Sequence, residues 1–262
     1  MSPTATKTEM VIAPRAPQDI VEEVLDYLTT DPSTLQSCAL VSKSWILPSR
    51  RHLFRTVLLT SKDMTRWLGT FPVPEDSPAR HVRDLSLSIG KRDNGPKGFF
   101  EHIPLFTSVE RVTFLVDERS QPLSIPSFWK LPQSATSLTI RTDAAVRLVQ
   151  LRNLMAQLPN LDDLSLSGNL VAVNRKMLLG MGAALKGRFR GKLQLLNGYA
   201  SESVVDTLLE VPTGLRFTEV QVSSTHECLL PTVRLAEACS ETLEKLLYTA
   251  SLHRKSHPFS RS

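Results

Sequence analysis

The chain of 262 residues has no run of 18 apolar residues, so no segment reads as a membrane-spanning helix. Its first stretch, MSPTATKTEMVIAPR, lacks the basic start and apolar core of a secretory signal. Residues 1–15 are expected to be a disordered tail. Cysteine is scarce: Cys38, Cys228 and Cys239 are the only three. Their odd number and irregular spacing supply neither a disulfide framework nor a zinc pattern. A reducing compartment, cytoplasmic or nuclear, is expected. The six histidines, His52, His81, His102, His226, His253 and His257, include no pair at metal-ligand spacing. His226-x-Cys228 has no third ligand or orienting acid nearby in sequence. Gly180-x-Gly182-x4-Gly187 lacks the Lys-Ser/Thr of a phosphate loop and the spacing of a dinucleotide turn. The serines of the LSLS segments have no nucleophile-elbow surroundings. No catalytic residue, metal site or cofactor is therefore expected, and the chain does not read as an enzyme.

What is present is a soluble globular composition, 41% hydrophobic and 22% charged, long enough to bury a large core. The net charge of +5 is modest and does not by itself imply nucleic acid. The densest basic run is Lys186-Gly-Arg188-Phe-Arg190-Gly-Lys192. Four cations around one aromatic suit a phosphate backbone, but the run is short and isolated. It is read as a solvated loop, and nucleic acid is not expected as a partner.

Beyond Phe54 the chain repeats. Eight short segments share an apolar–x–apolar core: FRTVLLT, VRDLSLS, VERVTFL, ATSLTIR, LDDLSLS, GKLQLLN, FTEVQVS and LEKLLYT. The first apolar residue of each pair is Val57, Leu85, Val112, Leu138, Leu164, Leu193, Val220 and Leu246, at steps of 28, 27, 26, 26, 29, 27 and 26. The fifth unit, Leu161-x2-Leu164-x-Leu166-x2-Asn169, carries the full consensus of a leucine-rich repeat, and the others resemble degenerate members of that family. In the family the Asn satisfies backbone groups in the turn after the strand. In the other units Asp117 and Asp143 are candidates for that task.

Between the strands the periodicity turns helical. Residues 144–158 read as a helix capped by Asp143 and stopped by Pro159-Asn160. Residues 175–185, 203–211 and 233–238 read the same way. Residues 72–79 and 91–98 read as irregular loops, and Trp129 reads as a core or return-loop residue. Residues 55–250 are thus expected to form a solenoid of about eight strand-return units with a curved parallel sheet. Alternate strand residues should face its open, concave side. Candidate substrate contacts there are Arg111, Thr113, Ser137, Arg141, Asp163, Ser165, Gln194, Glu219 and Gln221. The segment 251–262 is basic and polar and reads as a disordered tail. It offers no apolar cap. The last strand is covered from elsewhere, or left exposed, or the chain is a short form of a longer protein.

Residues 16–54 differ from all of this. Ile20, Val21, Val24, Leu25 and Leu28 share one helical face. Asp31-Pro32-Ser33 signals a second helix. Ser42 or Ser44 signals a third, with Pro48 expected to kink it or start a new turn. The order Pro17-x-Asp19-Ile20-x3-Val24-Leu25-x2-Leu28, then Leu35-x2-Cys38-x2-Val41-Ser42-x2-Trp45, resembles an F-box, with Ala16 where that family usually has Leu. The resemblance covers roughly 40 residues. Together with the repeats, it implies an α/β chain that serves as a substrate receptor of an SCF-type ubiquitin ligase. By that resemblance Pro17, Ile20, Val24, Leu25, Leu28, Leu35, Cys38, Val41 and Trp45 dock on a Skp-type adaptor, and a cullin binds through it. The repeats then select a protein substrate. The alternative is a leucine-rich-repeat scaffold whose N-terminal helices are only a cap.

Overall fold

The computed structural model of the chain describes residues 17–89, 102–116, 131–171, 185, 187–197, 202–224 and 229–250. Both tails, the loop at 91–98, Trp129, His226-x-Cys228, Gly180, Gly182, Asp117 and the helix expected over 175–185, its last residue apart, lie outside the described residues. The side chains of Asp143 and Asn169 do too. The chain divides into two compact units, Met1–Leu53 and Phe54–Ser262.

The first unit contains three helices: α1 (Gln18–Tyr27), α2 (Pro32–Val41) and α3 (Lys43–Leu53). Pro17 is extended, and its carbonyl accepts the first helical bond from the Val21 N–H. Asp31 caps α2, accepting from the N–H groups of Ser33 and Thr34 at 3.1 Å each, and Pro32 opens the helix. No new element begins at Pro48. The helix runs through it to Leu53, and the ring is buried. A mid-helix proline removes one hydrogen bond, and here the burial of the ring offsets that loss.

The second unit is α/β, with one open sheet of eight parallel strands in the order of the chain. They are β1 (Thr56–Leu59), β2 (Asp84–Ile89), β3 (Arg111–Val116), β4 (Ser137–Arg147), β5 (Asp163–Val171), β6 (Lys192–Asn197), β7 (Glu219–Ser224) and β8 (Lys245–Ala250). The register places Val57, Leu85, Val112, Leu138, Leu164, Leu193, Val220 and Leu246 side by side in one row. The members from Leu85 to Val220 are fully buried, as are Leu87, Phe114, Ile140, Leu166, Leu195 and Val222 two positions on. Period-2 alternation sends these rows to the core and their neighbours to the other side. Each fully buried Leu, Val or Phe contributes roughly 1.5–3 kcal/mol. The same backbone device starts many of the strands. One carbonyl accepts from two successive N–H groups of the next strand: Arg83 from Glu110 and Arg111, Glu110 from Thr136 and Ser137, and Thr136 from Asp162 and Asp163.

Among the described returns are α4 (Ser61–Thr70), α5 (Leu148–Met155), α6 (Glu202–Leu209) and α7 (Leu229–Ala238). Three local expectations change. Helix α5 begins at Leu148 rather than at 144, because β4 shifts register between Thr142 and Ala145 and pairs on with Asn169–Val171. Gly168 permits this shift. Its φ is +134°, and a Cβ there would lie 1.7 Å from the Thr142 carbonyl oxygen. Helix α7 starts at Leu229, four residues before the expected position, and residues 74–76 and 78–81 form short 3₁₀ turns rather than an irregular loop.

Candidate functional site

The three-helix unit buries Val21, Leu25 and Leu35 at its centre. Leu28, Cys38, Trp45 and Leu53 pack around them, half-buried. Two of the expected adaptor contacts, Leu25 and Leu35, therefore point inward and hold the helices together. The face assigned from sequence was too wide, because i, i+1 neighbours on a helix lie about 100° apart. Val21, Leu25 and Leu28 make the inner stripe. Ile20 and Val24 make an outer one, 47% and 40% exposed, and Tyr27 extends it by one turn. Pro17 and Val41 are also exposed, Val41 by 67%. Leu40 at the end of α2 and Leu47 on α3, neither among the expected contacts, add exposed apolar surface. Three short helices cannot bury two apolar stripes of one helix, and in the structure the outer stripe stays in water.

The cap that fixes α2 is electrostatically strong. The Thr34 hydroxyl, then the Ser33 hydroxyl and the Thr34 N–H, hold the Asp31 carboxyl below its ordinary value, at about 2. It is thus ionised throughout the physiological range and suits the N-terminal end of the helix dipole.

On the sheet, all nine expected contact residues lie on the side opposite the core, and none is buried. They form three rows across the strands. The first row holds Asp84, Arg111, Ser137, Asp163, Lys192, Glu219 and Lys245. Arg111 donates from Nε and Nη2 to Asp84, and Thr56 Oγ1 donates to the same carboxylate at 3.2 Å. Burial alone would raise the Asp84 pKa, but the bonds and charge of Arg111 outweigh it and the pKa falls. Glu219 lies between Lys192 and Lys245, 2.8 and 3.3 Å from their Nζ atoms. The Lys192 bond, first among these contacts, lowers the Glu219 pKa and raises that of Lys192. Asp163 accepts from the Lys192 backbone N–H at 2.6 Å, in a space that exists because residue 191 is glycine: a Cβ there would lie 1.9 Å from the carboxylate.

The second row is neutral: Ser86, Thr113, Thr139, Ser165, Gln194 and Gln221. Ser165 donates to Gln194, and Gln194 to Gln221, each at 3.0 Å. The third row places Arg141 between Leu115 and Ser167. Among the described residues Arg141 has no ion-pair partner. The described face therefore offers fixed charges, a ladder of amides and hydroxyls, and the guanidinium of Arg141. No three His, Cys, Asp or Glu among the described residues could hold a metal. No helix among them is long and apolar enough to cross a membrane.

In the basic run the aromatic residue faces inward. Phe189, its aromatic, is buried against Phe217 with ring centroids 5.7 Å apart. Its φ of 50° is uncommon for a bulky residue. It is held by a bond from its N–H to the Leu161 carbonyl and by another from the Arg216 N–H to its own carbonyl. Arg188 bonds Asn160 Oδ1 at 2.8 Å, and Lys192 is engaged with Glu219.

No protein-family model matches the chain, and no curated protein matches it.

Proposed function

We propose that the chain is a substrate receptor of an SCF-type ubiquitin ligase, built as an F-box followed by a leucine-rich-repeat solenoid, and that it catalyses nothing itself. In this reading the outer stripe of α1 and the exposed end of α2 dock on the Skp-type adaptor, and a cullin joins through the adaptor. The sheet face with the rows of Arg111, Ser165 and Arg141 receives a protein substrate in the cytoplasm or nucleus. The observation that carries the reading is the second apolar stripe of α1, Ile20, Val24 and Tyr27. It contributes nothing to the interior of the helices, and a partner would cover it. The polar sheet face supports the substrate role in the same way, since rigid wet surfaces with fixed hydrogen-bonding groups suit specific protein recognition. Holding a substrate near a ubiquitin-charged enzyme raises its effective concentration, which is all that such a subunit must do.

The test is co-purification of the full chain with a Skp-type adaptor. Retention of the adaptor is expected, with its loss on replacing Pro17 and Ile20 together by Ala. No retention of the adaptor by the wild-type chain would end the ubiquitin-ligase reading and leave a repeat scaffold with an N-terminal cap.

A further inference from the structure

The last strand of the sheet is built unlike the others. β8 pairs with β7 on one side, and among the described residues nothing pairs with its other side. The row that is fully buried from Leu85 to Val220 ends at Leu246, which is 47% exposed. Leu247 on the opposite side is exposed as well. Behind the strand, Leu229 and Val233 of α7 are exposed, and an open groove of ≈ 400 Å³ lies between them and Leu246 and Tyr248. Sheet edges in monomers are normally blunted by charge, proline or a bulge. β8 has only Lys245, and that ammonium is engaged with Glu219.

We propose that this edge joins a second copy of the chain, β8 running antiparallel to its partner's β8 about a two-fold axis at Leu247. Opposite residues in an antiparallel pair point to the same side. With Leu247 opposite itself, Leu246 faces Tyr248 of the other copy on the core side, and Lys245 faces Thr249. The apolar side chains of the edge then meet one another, and the two α7 helices lie alongside. Two strands and two helices with their exposed leucines supply the kind of self-complementary apolar patch that a two-fold dimer requires.

Charge fixes the direction. Glu237, Glu241 and Glu244 are exposed where α7 ends and β8 begins. Antiparallel pairing brings this acidic end beside Thr249 and Ala250 of the other copy, which carry no side-chain charge. Parallel pairing of two β8 strands would instead set the acidic ends of both copies together.

Sedimentation velocity of the full chain at tens of micromolar tests the proposal, with oxidative cross-linking of two single variants against the parent chain. A dimer is expected. In Leu247→Cys the paired residues have Cα atoms about 4.5–5.5 Å apart, within reach of a disulfide, so a covalent dimer should form. In Thr249→Cys the equivalent atoms are about 14 Å apart, and cross-linking should stay at the parent level. Leu246→Lys with Leu247→Lys changes two already exposed positions and should leave a folded monomer. A monomeric wild-type chain, larger head-to-tail assemblies, a dimer that survives the double lysine change, or equal cross-linking of the two cysteine variants would each overturn the proposal.

Discussion

The two units spend apolar residues in opposite ways. In Met1–Leu53, the centre is Val21, Leu25 and Leu35, while Ile20, Val24, Val41 and Leu40 remain in water. In Phe54–Ser262, one buried cluster runs from Leu59 to Cys239, and from β2 to β7 the free side of the sheet carries mainly charges, amides and hydroxyls, while exposed apolar residues gather at Leu58 on β1, on α7 and on β8. In the proposed reading, the small core with apolar residues left outside is a unit that a partner completes. A continuous core under a polar face belongs to a unit that folds on its own contacts and offers hydrogen bonds.

The sharpest way to break this contrast lies in the sheet. Leu164 is fully buried in a central strand, and Leu164→Asp should abolish soluble folded protein, because an unpaired buried carboxylate costs several kcal/mol, of the order of 3–5. Ser165→Asp, on the polar side, should leave the protein soluble with a melting temperature within a few degrees of wild type. Equal loss of yield from the two would place the strand register one residue off. Next in size is Gly168→Ala. The collision with the Thr142 carbonyl and the positive φ should together cost roughly 2–4 kcal/mol, read as a lower denaturant midpoint.

In the helical unit the expected effects are smaller and split by face. Leu25→Ala should destabilise the helices by about 2–4 kcal/mol, whereas Ile20→Ala should change folding by about 0.5 kcal/mol or less. Thermal melting of the full chain, followed by its helical signal, reads both. A fragment 54–262 that melts cooperatively beside a fragment 17–53 that does not would fit the difference in core size. The reverse would contradict it. The smallest effect is on pH. The folded Asp31 pKa of about 2 lies below that of a free aspartate, about 3.9. Its cap is therefore fully present above about pH 4 and disappears as pH falls through 2. Asp31→Asn should flatten this acid limb of the circular dichroism signal.

Much of the sheet was legible because a parallel sheet in chain order turns spacing into register. The residues that recur at 26–29 in sequence are those placed side by side. Helix α4 was equally legible and passed over: Met64, Trp67 and Leu68 follow helical spacing, and Thr60 and Asp63 form a capping box. The extension of β4 past Thr142 was not readable, since Ala144–Leu158 has helical periodicity and only the pairing with Asn169–Val171 holds its start extended. Phe189 was hidden by its basic neighbours, although alternation sends it to the core while Arg188 and Arg190 stay outside. On α1 the sequence marked the apolar residues but not which of the two stripes the other helices would cover.

That division of α1 is the centre of the account, and a binding titration tests it most directly. The full chain and two variants, Leu25→Ala and the pair Ile20→Ala with Val24→Ala, are titrated with a purified Skp-type adaptor, and the melting curve of each is recorded. The outer pair should melt like wild type yet bind the adaptor at least tenfold more weakly, corresponding to about 1.4 kcal/mol or more. Wild-type affinity in that folded double variant would contradict it, since the outer stripe would then not be where a partner docks.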